Sequence, residues 1–318
     1  GSSVLMTTTR FANLNGGIGM PDVTPWDLDE SADTIPATYV NPKGTAGTFI
    51  HELIHSFGVK NHARACADTM ASHLEGGEVS FWGGPCDAIE YGSWFSVMGK
   101  SGGAAATHVH AGTMYDLHLL HKSDVHVVTR TGTYVIKPLN ALTTSVGDKR
   151  AAVVQHTDQY VSSDTTDFTK VLPPIWVEFR DALGVDQSLA WPEYAGNTEG
   201  VMLSWGHQYG DVLLDLDFGT PSAGKSLADV ALKPGQSFVV DQFSGGQKVG
   251  TVTFADVAVA SDKSSASFSV TYARTDAASA LGGEIDAFYE GSSPYPNTKY
   301  ATYPAATAMF AEQRLCLA

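Results

Sequence analysis

Positive charge is scarce in this chain. Its 318 residues carry 19 Lys+Arg against 34 Asp+Glu, a formal net charge of −15. No basic stripe offsets that surface, which repels phosphate backbones and excludes nucleic acid from the expected partners. Long apolar runs are missing as well. No stretch approaches the roughly 18 residues that cross a bilayer as a helix, so no membrane span is expected. No internal repeat is present. Cysteine is rare, with only Cys66, Cys86 and Cys316. Cys66 and Cys86 suit one disulfide, leaving Cys316 as a thiol or an intermolecular link, while three buried free cysteines fit the count equally well. No signal peptide is legible in the opening residues.

Glycine is abundant at 32 residues, and the apolar fraction of 43% is ordinary for a globular protein. Together with many Thr, Ser and Val, that Gly content points to frequent turns and a β-rich body. The length suits two domains. Val4, Leu5 and Met6 form a short strand candidate, followed by a long irregular stretch punctuated by Gly16, Gly17, Gly19 and the prolines from Pro21 to Pro25. Residues 45–57 then read as a helix: Thr45 or Thr48 can cap it, Phe49, Leu53, Ile54 and Phe57 recur at helical spacing, and Gly58 stops it. Residues 59–107 read as loop, and a second helix is expected over about 110–121. From there the chain turns to short β-branched runs at 125–128, 133–136, 152–155, 175–179, 201–205, 212–216, 237–240, 251–254 and 266–272, the pattern of an antiparallel sandwich or barrel. The tail after Arg274 has little periodicity and is expected to wrap the surface.

The chemistry concentrates in His51-Glu52-Leu53-Ile54-His55. On a helix, positions i and i+4 share a face, so both imidazoles reach one metal ion while Glu52 stands beside them as a base rather than a ligand. Zinc in such a site acidifies a water and polarises a carbonyl, the chemistry of peptide hydrolysis. An amphipathic helix with surface histidines is the plainer reading, and it leaves the placement of the pattern just before a helix stop unexplained.

The wider context, His51-x-x-x-His55-x-x-Gly58 with another His soon after, and Glu90-Tyr91-Gly92-Ser93-Trp94-Phe95-Ser96-Val97-Met98-Gly99 further on, resembles gametolysin-like zinc metallopeptidases of the metzincin clan. The segments 175–180, 200–203 and 232–238 resemble the β-rich region of bacterial members, so the likeness runs over about 49–272. It implies an α+β protein: a metzincin-like catalytic domain over 1–130 with a zinc helix and Met-turn, an antiparallel β-rich, sandwich-like accessory domain over 131–273, and an irregular surface-wrapping tail over 274–318.

It also implies a secreted endopeptidase acting on extracellular or cell-wall proteins, with Zn2+ as cofactor, Glu52 as general base and Met98 beneath the metal. Asn61 stands where the usual spacing puts the third ligand. Because imidazole binds zinc far better than a carboxamide, His62, one residue later, is the expected third ligand beside His51 and His55, with His73 in reserve. A residue added after Gly58 is absorbed more easily in a loop than in a helix. Gly99-Lys100 follows Met98, so the family's tyrosine just after the methionine is absent, and Tyr91 is the remaining candidate to stabilise a transition state. A disulfide between Cys66 and Cys86 would fit an oxidising compartment. The expected partners are a protein or peptide substrate and, since only 50 residues precede His51, a missing N-terminal segment or separate chain that completes the catalytic domain.

Three other features stand out in the sequence. His108, His110, His118, His121 and His126 cluster in sequence, a pattern more often of solvated or hydrogen-bonded histidines than of a second metal. Asp215, Asp217 and Asp241 are candidates for Ca2+, but no loop offers a complete ligand set and solvent-facing strand positions explain them as well. Gly99-Lys100-Ser101-Gly102-Gly103 matches a nucleophile elbow in spelling but sits in a Gly-rich loop rather than between a buried strand and a helix. A noncatalytic extracellular structural or binding protein that retains a metzincin scaffold is the rival reading, and the intact Glu52 speaks against it.

Overall fold

The computed structural model describes residues 4–6, 17–23, 35–40, 46–56, 59, 62–66, 73–74, 88–99, 108–117, 119–141, 145, 147–154, 174–192, 194–205, 211–214, 216, 230–244 and 247–274. The fold is mixed α+β. β1 (Val4–Met6), β2 (Gly17–Val23) and β3 (Ile35–Val40) form a three-stranded sheet in the order β1-β3-β2. Sequence reading predicts irregular chain over β2 and β3. Pro21 explains the miss: proline cannot donate to a ladder, and the β2–β3 register shifts between Met20 and Val23, around that residue. α1 (Ala46–Ser56) packs against β2 and β3.

The second sheet is mixed. Its strands are β4 (Arg64–Cys66), β6 (Ala88–Ile89), β7 (Val125–Val128), β9 (Ala151–Val154), β10 (Ile175–Glu178), β11 (Met202–Trp205) and β12 (Val212–Leu214). Their order is β6-β4-β12-β11-β10-β9-β7, with the two-residue β6 at one edge. The pairs β12–β4 and β7–β9 are parallel, so the expected purely antiparallel pattern does not hold here. Three strands from before residue 130 thus share a sheet with four from after it, on both sides of the boundary expected between catalytic and accessory parts. The third sheet is antiparallel over β13 (Phe238–Ser244), β14 (Gln247–Val259), β15 (Ala266–Arg274) and β8 (Gly132–Ile136), with the two-residue β5 (His73–Leu74) added in parallel at the β13 edge.

The alternation of side chains explains why the central strands read as unbroken apolar runs. β9, β10, β11 and β12 are buried throughout, as strands covered on both faces must be. Ala152, Val154, Ile175 and Val177 join a core shared with Phe238, Val252, Phe254 and Phe268 of the antiparallel sheet. Their neighbours Ala151, Val153 and Trp176 point the other way, into a core with Ile54 of α1, Val97, Met98 and Met114. α2 (Ala111–Asp116) lies in that second layer and is shorter than the expected 110–121 helix. The amides of Leu119 and Leu120 both turn back to the Met114 carbonyl, at 2.8 and 3.1 Å, which closes the helix in place of further i→i+4 bonds. Asp211 ties this layer to the sheet: its carboxylate accepts from the Thr113 hydroxyl at 2.5 Å, and its carbonyl from the Arg64 amide at 2.8 Å.

No helix among the described residues is long and apolar enough to cross a membrane. At Gly200, just before a two-way backbone bridge between Val201 and Leu232, an added Cβ would run into the Leu232 carbonyl oxygen, with its carbon 2.9 Å away. Gly200→Ala is therefore expected to cost about 2–3 kcal/mol, read as a lower urea midpoint with unchanged m-value.

Candidate metal centre

α1 delivers His51 and His55 one helical turn apart, as expected, with their Nε2 atoms 3.1 Å from each other. His62 arrives from the segment leading into β4 and stacks 5.3 Å from His51. One ring nitrogen from each of the three can be chosen so that all lie within 4.8 Å of one another, and among the described residues no other group of three His, Cys, Asp or Glu is placed to hold a metal.

Tautomers decide what the cluster can do. The Nδ1 of His51 lies 2.8 Å from the Val97 carbonyl, that of His55 2.6 Å from the Val59 carbonyl, and that of His62 2.8 Å from a Glu90 carboxylate oxygen. All three oxygens can only accept, so each Nδ1 must carry the proton and donate it. Each Nε2 is then a bare lone pair. Two such lone pairs facing each other at 3.1 Å repel unless a cation lies between them. Nitrogens on a tetrahedral zinc, at about 2.0–2.1 Å each, stand roughly 3.3 Å apart, so the spacing of His51 and His55 fits zinc. Outward Nδ1–H bonds to carbonyls and carboxylates are also the usual way a protein orients zinc-binding imidazoles. Burial lowers the pKa of all three histidines, only partly opposed by the hydrogen bonds that each Nδ1 makes. They therefore stay neutral and ligand-competent to below the ordinary imidazole range.

Glu52 is 7% exposed; its charge adds to the burial that raises the Tyr91 pKa and partly opposes the burial that lowers that of His55, which puts its carboxylate at the same site. Tyr91 lies over His62 with ring centroids 3.7 Å apart. Its φ of 58° is unusual for a residue with a side chain and is held by close packing next door. A Cβ on Gly92 would lie 2.7 Å from the Ile89 carbonyl and 2.9 Å from the Ala65 amide, so only glycine fits that turn. Met98 is buried with Val97 and Ile54.

Neither a family model, nor a curated protein, nor a solved structure matches this chain. The site therefore rests on its own geometry.

The other candidates disperse. His110 is fully buried, His121 is an exposed cap on the 3-10 turn Lys122–Asp124, and His126 lies 3.1 Å from the Val135 carbonyl, so the described members of the clustered histidines do not converge. Gly58, Asn61, Cys86, Ser101, His118, His156, His207, Asp215, Asp217, Cys316 and the side chains of Cys66 and His73 lie outside the described residues. Sequence reading missed Glu90 and the backbone carbonyls of Val59 and Val97, which leave no mark in a pattern of residue types. It also missed a buried charge centre that did leave one: Glu178 and Arg180 alternate in the apolar run Ile175-Trp176-Val177-Glu178-Phe179-Arg180.

Glu178 Oε1 accepts from Arg180 Nε at 2.9 Å and from His110 Nδ1 at 2.9 Å, and Oε2 accepts from the Ala111 amide at 2.6 Å. Burial alone would raise the Glu178 pKa, but the Arg180 charge, His110 and the Ala111 amide outweigh it and bring it down from 4.5 to about 2. A carboxylate with a depressed native pKa stabilises the fold above its unfolded value, and that stabilisation is lost as pH falls from about 4.5 toward 2. Unfolding free energies from urea titrations should fall across this window with a pH slope steeper by up to about one proton in the parent than in Glu178→Gln. At pH 7 the variant should be less stable by roughly 3 kcal/mol, because Arg180 loses the nearer of its two buried carboxylates.

Proposed function

We propose that this chain is a secreted zinc endopeptidase of the gametolysin-like metzincin type, cleaving extracellular or cell-wall proteins. The observation that carries the proposal is the set of three outward Nδ1–H bonds, which leaves the Nε2 atoms of His51, His55 and His62 as lone pairs in a cluster whose ring nitrogens come within 4.8 Å of one another. In this reading α1 is the zinc helix, residues 93–99 are the Met-turn with Met98 beneath the site, and the two larger sheets form a sandwich-like body that supplies no ligand. His62 is the third ligand, since it shares the cluster and its Glu90 bond orients it as Val97 and Val59 orient the other two.

Zinc held by these histidines supplies Lewis acidity that lowers the pKa of a water and polarises a peptide carbonyl. The remaining steps belong to the chain. Glu52, beside the ligands and not among them, takes the proton of the attacking water on its carboxylate and returns it to the leaving amine. Tyr91 is 43% exposed, so its hydroxyl can meet a substrate bound across His62 and donate to the oxyanion as it forms.

Hydrolysis of a denatured protein, sensitive to a chelator, is the direct test and separates this reading from an inert scaffold. Glu52→Gln should keep zinc and lose proteolysis by a factor of about 100 or more. His62→Ala should lose zinc, while Asn61→Ala and His73→Ala should keep it. Zinc retained in His62→Ala and lost in either of the others would move the third ligand elsewhere.

A further inference from the structure

Ser93 Oγ lies 2.8 Å from His110 Nε2, and His110 Nδ1 lies 2.9 Å from Glu178 Oε1. The order of hydroxyl, imidazole and carboxylate is that of a nucleophile triad, yet Ser93 and His110 have no exposed surface and Glu178 has 1%. A hydroxyl sealed in this way meets no substrate. Its place in the chain suggests a different use.

The segment 89–99 is the one that orients two of the three clustered histidines. Glu90 holds His62, and the Val97 carbonyl holds His51. Between those two contacts, side chains of the second layer grip the segment at two residues. One grip is Ser93, through His110; the other is the Phe95 carbonyl, which accepts from Arg180 at 2.6 Å. Both grips converge on the same Glu178 carboxylate, because Arg180 also donates to it at 2.9 Å.

The hydrogen bonds run in one direction only. Glu178 can only accept, so His110 Nδ1 donates, and on a neutral imidazole His110 Nε2 accepts. The Ser93 hydroxyl therefore donates to it, and Ser93 Oγ is left to accept from the Phe95 amide at 3.3 Å. A buried chain with a single allowed polarity fixes the loop more tightly than apolar packing, since any rotation orphans a polar group.

We propose that Ser93 and His110 are positioning residues for the metal centre: anchored on Glu178, they hold the 89–99 segment so that Glu90 and Val97 set the imidazole planes of His62 and His51. The proposal rests on the metal-centre reading above. It predicts an effect on metal geometry, beyond any effect on stability.

The test uses the full chain stripped of metal, with zinc affinity measured by competition against a chromophoric chelator and the visible spectrum of the Co2+ form recorded. Ser93→Ala should weaken zinc binding about tenfold, the lower end for residues that support a ligand's orientation, and shift the Co2+ bands. His110→Gln, altering the chain from its other side, should act in the same direction. Val252→Ala, a core truncation in the antiparallel sheet, should lower the melting temperature and leave affinity and spectrum unchanged. If Ser93→Ala behaves like Val252→Ala, with affinity within twofold of the parent and an identical spectrum, the network is only structural and the proposal is overturned. If the parent chain binds no zinc at all, the metal-centre reading falls and takes this one with it.

Discussion

A carboxylate without access to water sets the terms for the layer that carries the histidines. Burying an ion costs several kcal/mol unless its lone pairs are taken up, and Glu178 meets the requirement with three donors from two parts of the chain: Arg180 two residues on, and His110 with the adjoining Ala111 amide that opens α2. None of those donors can leave without stranding the charge. The strand β10, the start of α2 and the loop over the histidines are thereby held in one arrangement by a group that touches no substrate.

Around that hub the molecule separates two tasks that apolar packing cannot perform together. The shared core between the two larger sheets is the largest apolar cluster among the described residues and tolerates small changes of shape. The opposite face of the mixed sheet must present polar atoms at fixed angles, and there hydrogen bonds take over from dispersion: Val97 and Val59 each aim a carbonyl at an imidazole, and Ala63 bridges the segments, donating to the Met98 carbonyl at 2.8 Å and accepting from the Ser93 amide at 3.3 Å. Tyr91, with its positive φ, sits where these constraints meet.

How much of this was legible in the sequence depends on the kind of interaction. The His51 to His55 spacing could be read because helix geometry is local, and α1 falls within a residue of the expected span at either end. The β runs from 125 onward were readable for the same reason. Strand partners were not: the parallel pairing of β4 with β12 joins residues whose spacing carries no periodic signal. Gly and Pro in β2 disguised a strand as a turn, and backbone carbonyls that orient the histidines have no residue identity to recognise. Glu178 and Arg180 were visible as charges in an apolar strand, a pattern that marks a buried ion pair whenever the alternation puts both on the covered face.

The pairing of β4 with β12 has a bearing on when the site exists. Arg64 pairs with Val212, and His62 stands two residues before Arg64. A growing chain that has emerged only through its first 200 residues holds both α1 histidines and Glu52, yet lacks the strand against which the segment bearing His62 is laid down. Contacts this distant in sequence form late, since the loop must close before they contribute. The third imidazole, though held earlier by Glu90, thus gains its full backing only after most of the body has been made. Under the proposed function, a centre completed in that order is fully braced only once the chain around it is no longer open to cleavage.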